Sequence, residues 1–203
     1  MGDLYIIIAP SGAGKTSLVE QLLVQNANLY VSISHTTRPA RKNEKNGVNY
    51  HFISKTDFIN MSSEGDFLES AEVYGYNYGT SKKWVDSQLA LGRDIILEID
   101  WQGAQQVRNI LPGACSIFIL PPSLEALKQR LQERGQDDIG TIKDRMQEAQ
   151  SVITHFSEAD FVIVNDEFEA ALRDINAVIK TQRLNARNQE KNLKGLIKSL
   201  TRR

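Results

Sequence analysis

The 203-residue sequence predicts an α/β fold in which helices cover both faces of a parallel sheet. One observation is a series of short, almost continuously apolar segments, which are typical of strands buried on both faces. Another is that segments with helical spacing separate them, as the crossover connections of a parallel sheet require. The predicted strands are Leu4–Ile8, Tyr30–Ser34, Ile95–Ile99, Ser116–Leu120 and Phe161–Val164.

The predicted crossover helices begin at Thr16, near Gln102, at Leu124 and at Phe168. Ser123 directly precedes the helix at Leu124 and follows two prolines. Its hydroxyl suits an N-cap, because serine can accept a hydrogen bond from a free N–H of the first turn.

Two segments interrupt this alternation. Residues 35–83 contain runs of alternating residues that predict a small β-rich subdomain. Its predicted strands are Val48–Phe52, Phe67–Val73 and Tyr76–Thr80. Residues 133–155, here called the lid, begin with a polar stretch and continue as a predicted helix from Ile139 to Val152. The remaining residues, 1–34, 84–132 and 156–203, form the predicted core of a single domain.

The composition is that of a soluble protein without disulfides. The formal net charge is −1 and 41% of residues are hydrophobic, but no segment approaches the roughly 20 apolar residues needed to cross a bilayer. No secretory signal is recognised at the N-terminus, so we expect a cytoplasmic protein. The single cysteine, Cys115, lies beside an apolar run and is expected to be a buried side chain rather than a nucleophile.

Positive charge is concentrated at the C-terminus. Between Lys180 and Arg203 there are eight basic residues and one acidic residue. A nucleic-acid-binding arm is one interpretation, but the spacing of three and four residues without interleaved aromatics favours a solvated helix face. We therefore predict no nucleic-acid partner and no membrane association.

The segment Ala9–Thr16, with the sequence A-P-S-G-A-G-K-T, has the spacing of a phosphate-binding loop between a strand and a helix. Its glycines allow backbone N–H groups to converge on phosphate oxygens at the helix N-terminus. Lys15 is placed to contact the β- and γ-phosphates of a nucleoside triphosphate, and Thr16 to ligate Mg²⁺. Ala9 stands where this pattern has its first glycine, which is tolerable if φ stays negative.

A second group of residues suits the phosphate of a monoester. Arg38 and Arg41 lie shortly before Tyr50. Guanidinium groups match phosphate geometry and remain charged, although a surface loop with incidental arginines has the same pattern. Glu69 and Glu72 lie on a run with the pattern of a half-buried strand, where carboxylates seldom occur without a partner.

Several motifs together resemble those of guanylate kinases, in the same order, from residue 4 to about residue 180. They are the loop Ala9–Thr16, Ser34–Arg41, Val48–Phe52, Phe67–Glu69, Tyr78–Ser81, Leu97–Gly103 and Val164–Asp166. The resemblance implies a phosphate-binding-loop parallel sheet flanked by helices, with an inserted GMP-binding subdomain and a helical lid. It also implies transfer of the γ-phosphoryl group of ATP to GMP.

The resemblance implies a role for each matching residue. For GMP, it assigns the phosphate to Arg38, Arg41, Tyr50 and Tyr78, and the guanine to Ser34, Glu69, Thr80 and Asp100. For ATP, it assigns the residues Ala9, Pro10, Ser11, Gly12, Ala13, Gly14, Lys15, Thr16, Ser17, Arg130, Arg134 and Asn165. For catalysis, it assigns Lys15, Arg38, Arg134 and Arg145.

The cofactor implied is Mg²⁺ bound with ATP, held by Thr16 and by Asp100 and Glu98 through water. Asn165 is expected to contact the adenine edge, although Asn165-Asp166 also has the composition of a turn that ends a strand.

Rival functions differ in testable features. A catalytically inactive, guanylate-kinase-like phosphopeptide-binding module would not need Lys15 and Thr16, which are both present. A GTPase would need an N-K-x-D motif, which is not found. A kinase for another mononucleotide would differ only in the base pocket. The sequence leaves open whether dGMP is also accepted, and whether the protein is a monomer or a homo-oligomer.

Overall fold

The computed structural model describes residues 2–133 and 139–201, which form a five-stranded and a four-stranded sheet. The strands are β1 (Leu4–Ile8), β2 (Leu29–Val31), β3 (His35–Thr36), β4 (His51–Phe52), β5 (Phe67–Val73), β6 (Tyr76–Ser81), β7 (Asp94–Glu98), β8 (Cys115–Leu120) and β9 (Phe161–Val164).

Helices connect these strands. They are α1 (Lys15–Gln25), α2 (Lys55–Ser63), α3 (Lys82–Ala90), α4 (Trp101–Ile110), α5 (Leu124–Glu133), α6 (Ile139–Ile153), α7 (Phe168–Arg183), α8 (Ala186–Asn192) and α9 (Lys194–Leu200). A short 3-10 helix covers Phe156–Glu158. Within the described residues, none of the helices is both long enough and apolar enough to span a membrane.

The larger sheet has the order β2-β7-β1-β8-β9, and all of its neighbouring strands are parallel. Successive side chains of β1 point to opposite faces, so that Tyr5 and Ile7 pack with residues of α1 and α7. Leu4 and Ile6 pack with residues of α3 and α4 on the other face. Helices therefore cover both faces, which confirms the predicted fold class.

The smaller sheet has the order β4-β3-β6-β5 and mixes parallel and antiparallel pairs. It is fastened to the larger sheet through α4. The side chain of Gln106 accepts a 3.1 Å hydrogen bond from the N–H of Ser70 and donates a 2.8 Å bond to the carbonyl oxygen of the same residue. Because Ser70 lies on β5, this amide fixes the small sheet against the N-terminal half of the chain's central helix.

Two predicted strands are shorter in the structure. The predicted strand Tyr30–Ser34 ends at Val31, and only His51 and Phe52 of the segment Val48–Phe52 belong to a strand. Val48 is 63% exposed, because Gly47 and Tyr50 close a turn there by a 2.8 Å backbone hydrogen bond. Periodicity extended both predictions past the residues that have a pairing partner. The strand Phe67–Val73 is predicted correctly.

Helices α2 and α3 were not predicted. Each begins after a serine whose hydroxyl accepts an N–H of the first turn, Ser54 for α2 and Ser81 for α3. Each also buries few apolar side chains, so the helical period in the sequence is weak. The predicted N-cap at Ser123 is confirmed by a 3.0 Å bond from the N–H of Ala126, and Cys115 is buried as expected.

The predicted basic helix at the C-terminus is correct in its exposure but not in its continuity. The segment that begins at Phe168 divides into α7, α8 and α9. Five buried side chains hold α7 against the large sheet, whereas no residue of α9 is buried.

Candidate active site

The segment between β1 and α1 forms a tight loop at the carboxyl edge of the large sheet. Gly12 and Gly14 have φ values of 91° and 92°, a conformation that residues with a Cβ seldom adopt. Ala9 does not have a positive φ, so its Cβ causes no backbone strain there. Gly14 is the N-cap of α1 and makes no side-chain cap, which leaves the first turn of the helix directed at the loop.

Lys15 lies between this loop and two acidic residues that follow β7. Its Nζ is 3.5 Å from the carbonyl oxygen of Ile99. Burial lowers the pKa of Lys15, whereas the negative charges of Glu98 and Asp100 act to raise it. The ammonium group is therefore partly desolvated but has two compensating carboxylates, as a phosphate-binding cation requires.

Thr16 and Glu98 provide oxygen atoms beside Lys15. The Thr16 hydroxyl donates a 3.3 Å hydrogen bond to Oε2 of Glu98. Burial raises the pKa of Glu98, while the nearby Lys15 and the Thr16 hydroxyl lower it. Mg²⁺ prefers oxygen ligands and commonly completes its coordination with substrate phosphates and water, so this pair fits such an ion. No group of three or more His, Cys, Asp or Glu side chains within residues 2–133 and 139–201 would hold a metal by protein ligands alone.

Asn165 directly follows β9 and is only 4% exposed. Its Nδ2 donates a 2.7 Å hydrogen bond to the carbonyl oxygen of Ala13 in the loop. Its own carbonyl oxygen accepts a 3.0 Å bond from Arg130, a residue of α5. A second guanidinium nitrogen of Arg130 is buried without a partner. The structure thus brings three of the residues assigned to ATP together, although the sequence separates them widely.

On the other side of α4, Glu69 is buried to 4% exposure on β5. Its Oε1 accepts a 2.5 Å hydrogen bond from the hydroxyl of Thr80 on β6. Burial raises the pKa of Glu69 to about 7, and the charge of Asp100 acts in the same direction, while the bond from Thr80 lowers it. A carboxylate and a hydroxyl at this distance present an acceptor and a donor to one edge of a ligand. Glu72, in contrast, is exposed.

Asp100 lies between the two groups of residues. Its Oδ1 accepts a 2.8 Å bond from the N–H of Gly103 and caps α4. Burial raises its pKa, while that hydrogen bond and the charge of Lys15 lower it. A Cβ on Gly103 would collide with the carboxyl group of Glu69, so the glycine lets β5 approach the start of α4.

Arg38 and Arg41 lie in the loop that follows β3. The guanidinium of Arg38 donates a 2.8 Å bond to Oε1 of Glu44, and the backbone N–H of Arg41 donates one of 2.8 Å to Oε2 of the same carboxylate. Burial acts to raise the pKa of Glu44, but these bonds outweigh it and hold the pKa below its usual value. The side chain of Arg41 is exposed.

The aromatic residues assigned to the phosphate lie next to Arg38. Its guanidinium carbon is 5.3 Å from the ring centroid of Tyr50, and the rings of Tyr50 and Tyr78 are 5.8 Å apart in an edge arrangement. Tyr78 also hydrogen-bonds to Arg38 through its side chain. Ser34 accepts a 2.9 Å bond from the N–H of His51 through its backbone carbonyl, which leaves its hydroxyl outside that backbone pairing.

Helix α6 carries the lid residue Arg145, which is partly buried. The helix packs on α5 through Ala149, which contacts Leu127 and Leu131. Arg145 and Glu148 both interact with Tyr74 at the tip of the β5–β6 hairpin. Arg134, the second arginine assigned to the lid, lies outside the described residues.

The sequence analysis did not single out Glu44. Its spacing from Arg41 is that of a turn in which a side chain accepts an N–H three residues earlier, and this was the signal available. That Glu44 also pairs with Arg38 depends on how the loop folds, which spacing alone does not determine.

Comparisons with known proteins agree with this arrangement. The family model described as guanylate kinase matches residues 1–182. The guanylate kinase of Hahella chejuensis is 55% identical over 202 residues, covering 98% of this chain and 97% of that protein. The guanylate kinase of Nitrosomonas europaea is 53% identical over 184 residues, covering 91% of this chain and 92% of that protein.

A solved structure is also similar. The crystal structure of guanylate kinase from Anaplasma phagocytophilum superposes with a TM-score of 0.75 at 32% identity, and the match covers 91% of this chain and 88% of that one. The likeness therefore extends through the large sheet, the small sheet and the lid helix. On the agreement of sequence and fold along nearly its whole length, the chain belongs to the guanylate kinase family.

Proposed function

We propose that this chain transfers the γ-phosphoryl group of ATP to GMP, giving ADP and GDP. The observation that carries the proposal is the position of Asp100, whose charge interacts with Lys15 of the loop and with Glu69 of the small sheet. A site for the phosphates of a donor and a pocket for the base of an acceptor therefore face each other across the start of α4.

The acceptor pocket suits guanine. Guanine presents N1–H and N2–H₂ donors and an O6 acceptor on one edge, which match an ionised Glu69 and a hydroxyl of Thr80 or Ser34. Adenine has an N1 lone pair where guanine has N1–H, and this lone pair would face the carboxylate. A buried site built for one hydrogen-bonding pattern can reject the wrong partner by about 10⁴-fold.

The acceptor phosphate needs no general base. A phosphate monoester has a second pKa near ~6, so GMP is largely a dianion at neutral pH and its own oxygen is the nucleophile. Arg38 and Arg41, with the hydroxyls of Tyr50 and Tyr78, hold that phosphate in line with the donor. The task of the protein is thus alignment and charge compensation.

On the donor side, the loop N–H groups and Lys15 bind the β- and γ-phosphates, Arg130 lies beside the loop, and Arg145 approaches on α6. Thr16 and Glu98, with Asp100 nearby, would hold Mg²⁺ directly or through water. When bound with ATP, the ion supplies positive charge that offsets the repulsion between phosphates. Arg134 is assigned to the same phosphoryl group by the family pattern alone.

Closure of the lid over both substrates would exclude water and so prevent hydrolysis of ATP. The division into a core, a GMP-binding insertion at 35–83 and a lid at 133–155 supports this proposal but stays a prediction. The cytoplasmic location and the absence of a nucleic-acid partner also stay predictions.

A catalytically inactive phosphopeptide-binding module is not favoured. The most informative test is a coupled assay of ADP release with GMP, dGMP, AMP, UMP, CMP and dTMP as acceptors. We expect turnover with GMP at least 10³-fold above that with AMP. Equal turnover with AMP would refute the guanine pocket, and no turnover with any acceptor would leave only the binding module.

A further inference from the structure

The residue Asn165 is held at three points. Its backbone N–H donates a 2.8 Å bond to the carbonyl oxygen of Leu120 at the end of β8. Its carbonyl oxygen accepts from Arg130, and its side-chain amide donates to the carbonyl oxygen of Ala13. A buried amide with this many fixed partners has a single orientation.

The bond to Ala13 determines the direction of the next N–H group. Residues 13 and 14 are joined by a trans peptide, in which the carbonyl oxygen and the following N–H point in opposite directions. Because the oxygen of Ala13 points at Asn165, the N–H of Gly14 points away from it, toward the opposite face of the loop. That is the direction an N–H needs in order to bind a phosphate at the start of α1.

The loop cannot impose this orientation by itself. Gly14 has a φ of 92°, and glycine adopts positive and negative φ about equally well. A rotated peptide would turn the carbonyl dipole of Ala13 toward the donor phosphates, which would repel them. A Cβ on Gly14 would overlap the amide nitrogen of Asn165, so the glycine is also what allows Asn165 to approach.

We propose that Asn165 is a positioning residue of the phosphate-binding loop: its side-chain amide fixes the peptide between Ala13 and Gly14 so that the N–H of Gly14 faces the donor phosphates, and it connects the loop to Arg130. The inference rests on the proposed function for the identity of the donor. It differs from the expected contact between Asn165 and adenine, because it acts on the phosphates whatever the base.

The test uses two substitutions of similar size. Asn165→Leu removes the donor to Ala13, and Asn165→Asp replaces it by an acceptor that repels the carbonyl oxygen. The probes are ATP, inorganic tripolyphosphate as a competitor that has no base, and adenosine as a competitor that has no phosphate. The KM for GMP and the melting temperature report on the acceptor site and on folding. Asn109→Asp, an exposed position on α4, controls for the added charge.

We expect tripolyphosphate to bind at least ~10-fold more weakly to Asn165→Leu and weaker still to Asn165→Asp, which is the scale of one lost buried hydrogen bond. ATP should weaken by the same factor, while adenosine and the KM for GMP change less than about twofold. Weaker adenosine with unchanged tripolyphosphate would overturn the proposal in favour of an adenine contact. Joint loss of GMP binding and thermal stability would assign Asn165 to folding instead.

Failure of the proposed function itself is distinguishable. If the unsubstituted chain bound neither ATP nor tripolyphosphate, the donor site would be refuted and this inference with it. If the unsubstituted chain bound both and the two Asn165 variants bound them equally well, only the role of Asn165 would be refuted.

Discussion

The hydroxyl of Thr80 donates a 2.5 Å hydrogen bond to the carboxyl group of Glu69, and neither side chain exceeds 4% exposure. Burial raises the pKa of Glu69 to about 7, even though this bond opposes the shift. At neutral pH, the carboxyl group of the unliganded protein is therefore divided between its protonated and ionised forms. Guanine needs the ionised form, because its N1–H and N2–H₂ groups are donors.

The first prediction is that GMP binding releases a proton from Glu69 below pH 7. At pH 6 the carboxyl group is mostly protonated before binding and ionised afterwards, so close to one proton should leave, whereas at pH 8 almost none should. Titration calorimetry in buffers of different ionisation enthalpy measures this number. Because the GMP phosphate also titrates near pH ~6, the quantity to compare is the difference between the unsubstituted chain and Glu69→Gln. Identical proton release by both proteins would contradict the prediction.

The second prediction concerns stability without ligand. The pKa of Glu69 rises from an ordinary 4.5 to about 7 on folding, so the native state binds more protons than the unfolded state between these values. The free energy of unfolding therefore falls as pH rises through this window, by on the order of 3 kcal/mol in total. Glu69→Gln should lack this loss and melt at a higher temperature at pH 8, while it binds GMP more weakly.

The matched control for this prediction is Glu72→Gln, an exposed position on the same strand. It should change neither the melting temperature nor the affinity for GMP. A Glu69→Gln protein that melts below the unsubstituted chain at pH 8 would show that the carboxylate stabilises the fold.

The third prediction concerns Lys15. Lys15→Ala removes the ammonium group that faces the donor phosphates, and should lower kcat by at least about 10²–10³-fold, as the loss of one preorganised charge-stabilising group does. GMP affinity should be unchanged, because Lys15 lies on the donor side. Lys55→Ala, at an exposed lysine of α2, serves as the control. Near-normal turnover of the Lys15 variant would refute the assignment of the loop.

The fourth prediction concerns the attachment of α7 to the large sheet. Arg183 donates a 2.7 Å bond to Asp94, whose side chain is 6% exposed. Arg183→Met leaves that buried carboxylate without its cation and should lower the free energy of unfolding by about 1–3 kcal/mol, because the arginine itself is partly exposed. Denaturant unfolding measures this change. Arg173→Met, at an exposed position on the same helix, should have little effect, and equal unfolding of the two variants would contradict the prediction.

Local patterns predicted much of the fold. The apolar segments predicted all five strands of the large sheet, and the loop motif predicted the position of α1 within one residue. Helices α2 and α3 escaped because each buries few side chains and depends on a serine cap, which leaves little periodicity to detect. Glu44 escaped for a related reason: its partner Arg38 is determined by the path of a loop.

The sequence by itself determined the elements whose signal is contained in a few neighbouring residues, such as the glycines and Lys15 of the loop or the apolar run of β1. Only the tertiary structure decided that Asn165 meets Ala13, a residue 152 positions earlier, and that Gly103 admits the carboxyl group of Glu69 beside Asp100. The physical reason is that these contacts arise where separate strands and helices pack. Their energies depend on burial and on distances of a few ångströms, which no local spacing encodes.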